Sequence, residues 1–125
     1  MSKKRILVIE DNHDIHELVR FLLEKAGHDV LAAFDGLAGV KLANEEKPDL
    51  ILLDLAIPEL DGWGVAKKVR ENPDLQATPM VALTAHILPD ELKRALDAGC
   101  NGYISKPINV ESFQKRVEEY LAPTG

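Results

Sequence analysis

The sequence has a single cysteine, Cys100, among 125 residues. A lone thiol makes no internal disulfide, so the fold depends on its core and nothing in it requires an oxidising compartment. Clustered basic charge is also missing. The formal net charge is -6, and the basic stretches stop at Lys3-Lys4-Arg5 and Lys67-Lys68. Nucleic-acid binding needs a basic surface to neutralise phosphates, so that class is disfavoured. Long apolar runs are missing too, none approaching the ~18 residues of a membrane span. The basic start is followed by only Ile6-Leu7-Val8-Ile9 before Glu10-Asp11, which is too short for the apolar core of a signal peptide. There is no glycine-rich phosphate fingerprint, no low-complexity segment and no repeat. These absences leave a soluble cytoplasmic protein as the expectation, with no membrane and no nucleic acid among its partners.

What is present is a 46% hydrophobic chain of a length that suits one domain, taken as residues 1–125. Its most informative stretch runs from Pro48 to Gly62. Leu50-Ile51-Leu52-Leu53 has no polar face and ends in a carboxylate, Asp54, with Pro58 and Asp61-Gly62 close behind. A continuous aliphatic run bounded by breakers reads as a strand buried on both faces of a parallel sheet. Arg5-Ile6-Leu7-Val8-Ile9 repeats the pattern and ends in Glu10-Asp11.

Between and after these runs, helical and strand signals alternate. Asn12 or Asp14 caps a helix carrying Ile15, Leu18, Val19, Leu22 and Ala26, stopped by Gly27. Residues 29–33 form a weaker strand, nearer the sheet edge, and residues 37–46 a second helix. A third helix spans about residues 63–71, broken by Asn72-Pro73-Asp74, with residues 75–78 as loop and 79–84 as the fourth strand. Pro89-Asp90 opens a helix that Gly99 closes; Tyr103-Ile104-Ser105 is a fifth strand; Asn109 caps a last helix over residues 110–121. Five strands alternating with five helices imply parallel strands, right-handed crossovers and three α/β/α layers.

Ligands of open α/β sheets bind outside the carboxyl ends of the strands. Those ends here carry Glu10 and Asp11, then Asp54, Thr84 and Lys106. Three neighbouring carboxylates repel one another unless a cation sits among them. An all-oxygen set without cysteine or histidine suits magnesium, with manganese or calcium as alternatives. Magnesium shares phosphate oxygens readily, Lys106 supplies a second positive charge, and Asp54 is the central carboxylate, fit for aspartyl-phosphate chemistry.

Together, Ile6 through Asp11, Asp54 through Gly62, Leu83-Thr84-Ala85 and Gly102 through Pro107 resemble the receiver domain of two-component response regulators, in order and spacing along essentially the whole chain. The resemblance implies a flavodoxin-like (βα)5 fold with strand order 2-1-3-4-5. It implies that Asp54 accepts a phosphoryl group; that Glu10, Asp11, Asp54 and the backbone of Ala56 hold Mg2+, Glu10 mainly through water; and that Thr84, Ala85 and Lys106 form the phosphate-binding and switch set. Tyr103 is implied as the aromatic that swings inward, and a cis peptide is implied before Pro107. The implied partners are a sensor histidine kinase or histidine phosphotransfer protein and a downstream protein target, for a monomer or weak dimer. The implied role is a switch that acts on its own aspartate, not an enzyme of metabolism. Ile57 stands where methionine is frequent in this family, Ala56 offers no side chain, and His86 is two residues past Thr84.

Two rivals share parts of the pattern. A haloacid-dehalogenase-type hydrolase also uses an aspartate nucleophile after a strand, but needs a second aspartate where Ala56 stands. A flavodoxin-like electron carrier needs a Ser/Thr/Gly-rich loop where Glu10-Asp11-Asn12-His13 stands. The four histidines do not form a metal-ligand pattern, and His13, His16 and His28 are expected at the surface. Cys100 is expected as a small helix-end residue and Trp63 as packing. Ile15 is either core or part of an exposed patch.

Overall fold

A computed structural model describes residues 4–55, 62–85 and 89–121. Five parallel strands, β1 (Arg5–Ile9), β2 (Asp29–Ala33), β3 (Leu50–Asp54), β4 (Met80–Thr84) and β5 (Gly102–Ser105), lie in the order β2-β1-β3-β4-β5. The helices are α1 (His13–Lys25), α2 (Gly36–Glu46), α3 (Gly62–Arg70), α4 (Pro89–Ala98) and α5 (Val110–Leu121). The weak strand β2 is at an edge, as its composition suggested, and the apolar β3 is central, with all five of its residues buried.

Side chains alternate across a strand, and the two faces of the sheet receive different helices. Leu7, Ile9, Ile51, Leu53, Met80 and Ala82 pack on the side of α2, α3 and α4, against residues such as Ala43, Val65, Val69 and Ala95. Ile6, Val8, Leu50, Leu52, Val81, Leu83 and Ile104 pack on the other side, against Val19 and Leu23 of α1 and Phe113 and Val117 of α5. Each fully buried Leu or Ile contributes roughly 1.5–3 kcal/mol by leaving water. Ile15 is half-buried and packs into this second core, which settles its role as core.

Local chemistry sets the helix ends. Asn12 Oδ1 accepts from Ile15 N at 3.0 Å, Asp35 Oδ1 from Ala38 N at 2.8 Å and Asn109 Oδ1 from Ser112 N at 3.1 Å. Each satisfies an N–H that the first helical turn leaves unpaired. Gly27 and Gly99 follow α1 and α4 with φ of +94° and +118°, a region that L side chains avoid.

The structure differs from the sequence reading at three places. Pro73–Leu75 is a short 3-10 turn rather than plain loop, and Leu75 is fully buried. Asn72 Oδ1 accepts from Asp74 N at 2.9 Å to start the turn, and one apolar residue in a short loop has no periodicity to reveal it. His16 and His28 are buried; of the three histidines placed at the surface, His13 alone is exposed. His16 stacks on Phe34 with ring centres 4.4 Å apart, and its Nε2 lies 3.3 Å from Val8 O. His28 Nδ1 accepts from Lys4 N at 3.3 Å, which leaves its proton on Nε2, 2.7 Å from Glu118 Oε1 on α5.

Arg70 closes the end opposite the carboxyl ends of the strands. Its guanidinium donates to Gly99 O, Leu75 O and Asn101 Oδ1, and so ties α3 to the turn after it and to the α4–β5 loop.

Candidate functional site

The strand register brings the acidic residues together. Ile9 pairs with Leu53, so continuing both strands by one residue sets Glu10 beside Asp54. Glu10, Asp54 and Lys106 follow Val8, Leu52 and Ile104, which all face the α1/α5 side, so alternation sends the three side chains the same way. One oxygen from each of Glu10, Asp11 and Asp54 lies within 4.8 Å of the others. Glu10 is fully buried, Asp54 is buried and Asp11 is exposed. Lys106 Nζ lies 2.6 Å from Glu10 Oε1 and 3.5 Å from Asp54 Oδ2. The nearer contact is an ion pair whose angles fall short of a directed hydrogen bond.

Burial pushes the Glu10 carboxyl up to about 7, and neighbouring Asp54 adds to the rise; Lys106 and the Asn12 N–H, which donates to Oε2 at 3.1 Å, pull the other way. Among the described residues, two buried carboxyl groups thus share the Lys106 ammonium, with Asp11 as a third beside them. The donors of the cluster are all oxygens from three converging carboxylates, the chemistry of a hard divalent cation. The residues therefore fit such an ion.

Beside the cluster is a cavity of about 260 Å³ lined by Asp54, Leu55, Trp63, Thr84, Ala85, Glu91 and Lys106. Thr84 O accepts from Lys106 N at 2.8 Å, which fixes the end of β5 against that of β4. The Lys106–Pro107 peptide is cis. Tyr103 is not in this cavity. It lines a smaller adjoining one with Thr84, Glu91 and Leu92. Its ring has the Arg116 guanidinium 5.9 Å from its centre, and its carbonyl accepts from Arg116 Nη2 at 2.6 Å. Ala56, Ile57 and His86 lie outside the described residues.

Three residues of the cavity wall have no site role in the sequence reading: Leu55, which belongs to the core, Glu91 and Trp63. Glu91 is half-buried in the first turn of α4, and acidic residues are common there because they favour the helix N-terminus. Trp63 packs on the core as expected, but it also faces the cavity, and the Arg94 guanidinium lies 4.1 Å from its ring centre. Nothing in local sequence separates Glu91 from exposed Asp90 beside it.

Residues 6–118 match the model of the response regulator receiver domain. The polar-differentiation response regulator DivK of Brucella anthropi is 36% identical over 118 residues, which cover 94% of this chain and 96% of that protein. Among solved structures, the chemotaxis response regulator CheY4 of Vibrio cholerae superposes with a TM-score of 0.91 at 27% identity, covering 95% of this chain and 99% of that one. The receiver domain of the sensor histidine kinase PA1611 from Pseudomonas aeruginosa, described with a magnesium ion coordinated in its active site cleft, superposes with a TM-score of 0.88 at 29% identity, covering 96% of this chain and 98% of that one. Fold, strand order and the match along most of the chain agree: the chain belongs to the response regulator receiver domain family.

Proposed function

We propose that the chain, as one receiver domain, is a phosphorylation-dependent signalling switch and that Asp54 is its acceptor. A partner phosphohistidine, on a sensor histidine kinase or a histidine phosphotransfer protein, presents its phosphoryl group at the cavity. An Asp54 carboxylate oxygen forms the new O–P bond as the P–N bond breaks; the imidazole leaves with the electron pair and takes a proton. The observation that carries this reading is a buried Asp54 at the wall of a roomy cavity, with the Lys106 ammonium 3.5 Å away.

Glu10, Asp11 and Asp54 would hold Mg2+, with the Ala56 carbonyl as a further ligand and Glu10 acting mainly through water. Bound there, the cation neutralises carboxylate and phosphoryl charge. Lys106 is close enough to turn from Glu10 toward a phosphoryl oxygen, and Thr84, with small Ala85 beside it, lines the same cavity and offers a hydroxyl. Tyr103 shares the adjoining cavity with Thr84, a placement from which its ring senses a move of that side chain. The face formed by α4, β5 and α5 then changes its affinity for a downstream protein as an existing equilibrium shifts. The protein acts on its own aspartate as a monomer or weak dimer in the cytoplasm. No helix among the described residues is long and apolar enough to cross a membrane.

The test is magnesium with a small phosphodonor, read by intact mass. Wild type gains one phosphoryl group that alkali removes, and Asp54→Asn gains none. Equal labelling of both proteins overturns the assignment.

A further inference from the structure

Trp63 and Glu91 take no part in the phosphoryl chemistry above, yet both line the cavity beside Asp54. The indole Nε1 of Trp63 is buried and meets no hydrogen-bond acceptor among the described residues. A sealed donor without a partner is costly, because it has lost water and gained nothing in exchange. Glu91 makes no hydrogen bond or ion pair among the described residues. Its natural neighbour one turn along α4 is Arg94, since residues three apart share a helix face. Arg94 is engaged elsewhere: its guanidinium lies over the indole, 4.1 Å from the ring centre. One face of α4 thus seats a cation on the π face of Trp63 and carries a carboxylate that makes no bond among the described residues. A buried donor on α3 and a carboxylate on α4, neither paired among the described residues, belong to two side chains that line one cavity.

We propose that α3 and α4 close across this cavity through a hydrogen bond from Trp63 Nε1–H to the Glu91 carboxylate when the cavity is filled, an inference that rests on the reading of Asp54 as phosphoryl acceptor. The driving force is electrostatic. A phosphoryl group on Asp54 brings new negative charge into a cavity whose wall includes Glu91. Repulsion moves that carboxylate away from the anion, and the buried indole N–H of Trp63, another residue of the wall, is an unsatisfied donor it can meet. The Arg94–indole contact keeps α4 in register with α3 while the carboxylate moves.

The chain has one tryptophan, so 15N-labelled protein gives a single indole N–H resonance. With magnesium and beryllofluoride as the phosphoryl mimic, the wild-type indole proton should move downfield and exchange with solvent roughly two- to tenfold more slowly. Glu91→Ala should bind the mimic, as seen by its 19F signal, and show neither change. Glu91→Gln keeps an acceptor oxygen but no charge to be repelled, and should respond weakly. Bound mimic with an unchanged wild-type indole, or the same protection in Glu91→Ala, overturns the closure alone. Absence of any Asp54-dependent 19F signal overturns the phosphorylation reading and the closure with it.

Discussion

Lys106 is closer to Glu10 than to Asp54, with Nζ 2.6 Å from Glu10 Oε1 and 3.5 Å from Asp54 Oδ2. Glu10 is fully buried and the Lys106 side chain is 13% exposed, so this ammonium is a close counter-charge to the buried part of the acidic cluster. Lys106→Met leaves that cluster without it. Removing one partner of a buried pair is costly, although uptake of a proton by Glu10 softens the loss, so the expected destabilisation is about 2 kcal/mol without metal. Saturating magnesium should then raise the melting temperature of the variant by more than that of wild type. An equal rise in both proteins, measured by thermal unfolding with EDTA or magnesium, would count against the cluster as the binding site.

Arg70 makes its hydrogen bonds through a planar fork that lysine lacks. Arg70→Lys should keep the charge but lose most of the ties to Gly99 O, Leu75 O and Asn101. A loss of about 1–2 kcal/mol is expected from the urea midpoint, with Arg70→Ala costing more. Metal binding at the opposite end of the sheet should be unchanged in both.

His16 gives the protein an acid-side weakness. Burial lowers its pKa below the ordinary 6.5, against which its contact with Val8 O is only a partial offset. Below the unfolded value the unfolded chain then binds more protons than the folded one, so stability falls as pH drops from 6.5 through the folded pKa. His16→Gln removes that proton linkage. Plotting the urea midpoint of wild type and variant against pH should show the wild-type curve falling more steeply on the acid side. Parallel curves would sink the assignment.

Gly39 on α2 leaves no room for a methyl group: an added Cβ would lie 2.5 Å from Ile9 Cδ1 and 2.8 Å from Cγ1. Alanine improves helix propensity by ~1 kcal/mol, whereas overpacking costs ~1–3 kcal/mol. Gly39→Ala should therefore destabilise by about 1 kcal/mol, and adding Ile9→Val, which deletes Cδ1, should return part of that loss. A double-mutant cycle by chemical denaturation measures the coupling.

The architecture was legible because its signals were long and redundant. β1 and β3 are unbroken aliphatic runs ending in acid, and strand–helix alternation then leaves few ways to arrange the sheet. Glu10, Asp11, Asp54, Thr84 and Lys106 stood out because each ends a strand or lies within two residues of its end. What stayed hidden depends on contacts between residues distant in sequence. His16 is buried because Phe34, distant in sequence, covers it. His28 is buried where the start of β1 and α5 meet it, through Lys4 and Glu118. Glu91 faces a cavity while Asp90 beside it is exposed, and only the packing of α4 against α3 separates the two.

The register of β1, β3, β4 and β5 has a consequence for how such a chain diversifies. Neighbouring strands are about 4.8 Å apart, so the sheet itself sets the spacing of Glu10, Asp54, Thr84 and Lys106. The outward faces of the helices contribute nothing to that spacing. Leu18, Phe21, Leu96 and Val110 already present large apolar groups there. Such surfaces can be rewritten one residue at a time while the distances at the strand ends hold still. Chemistry and recognition are therefore separately inheritable parts of one small domain.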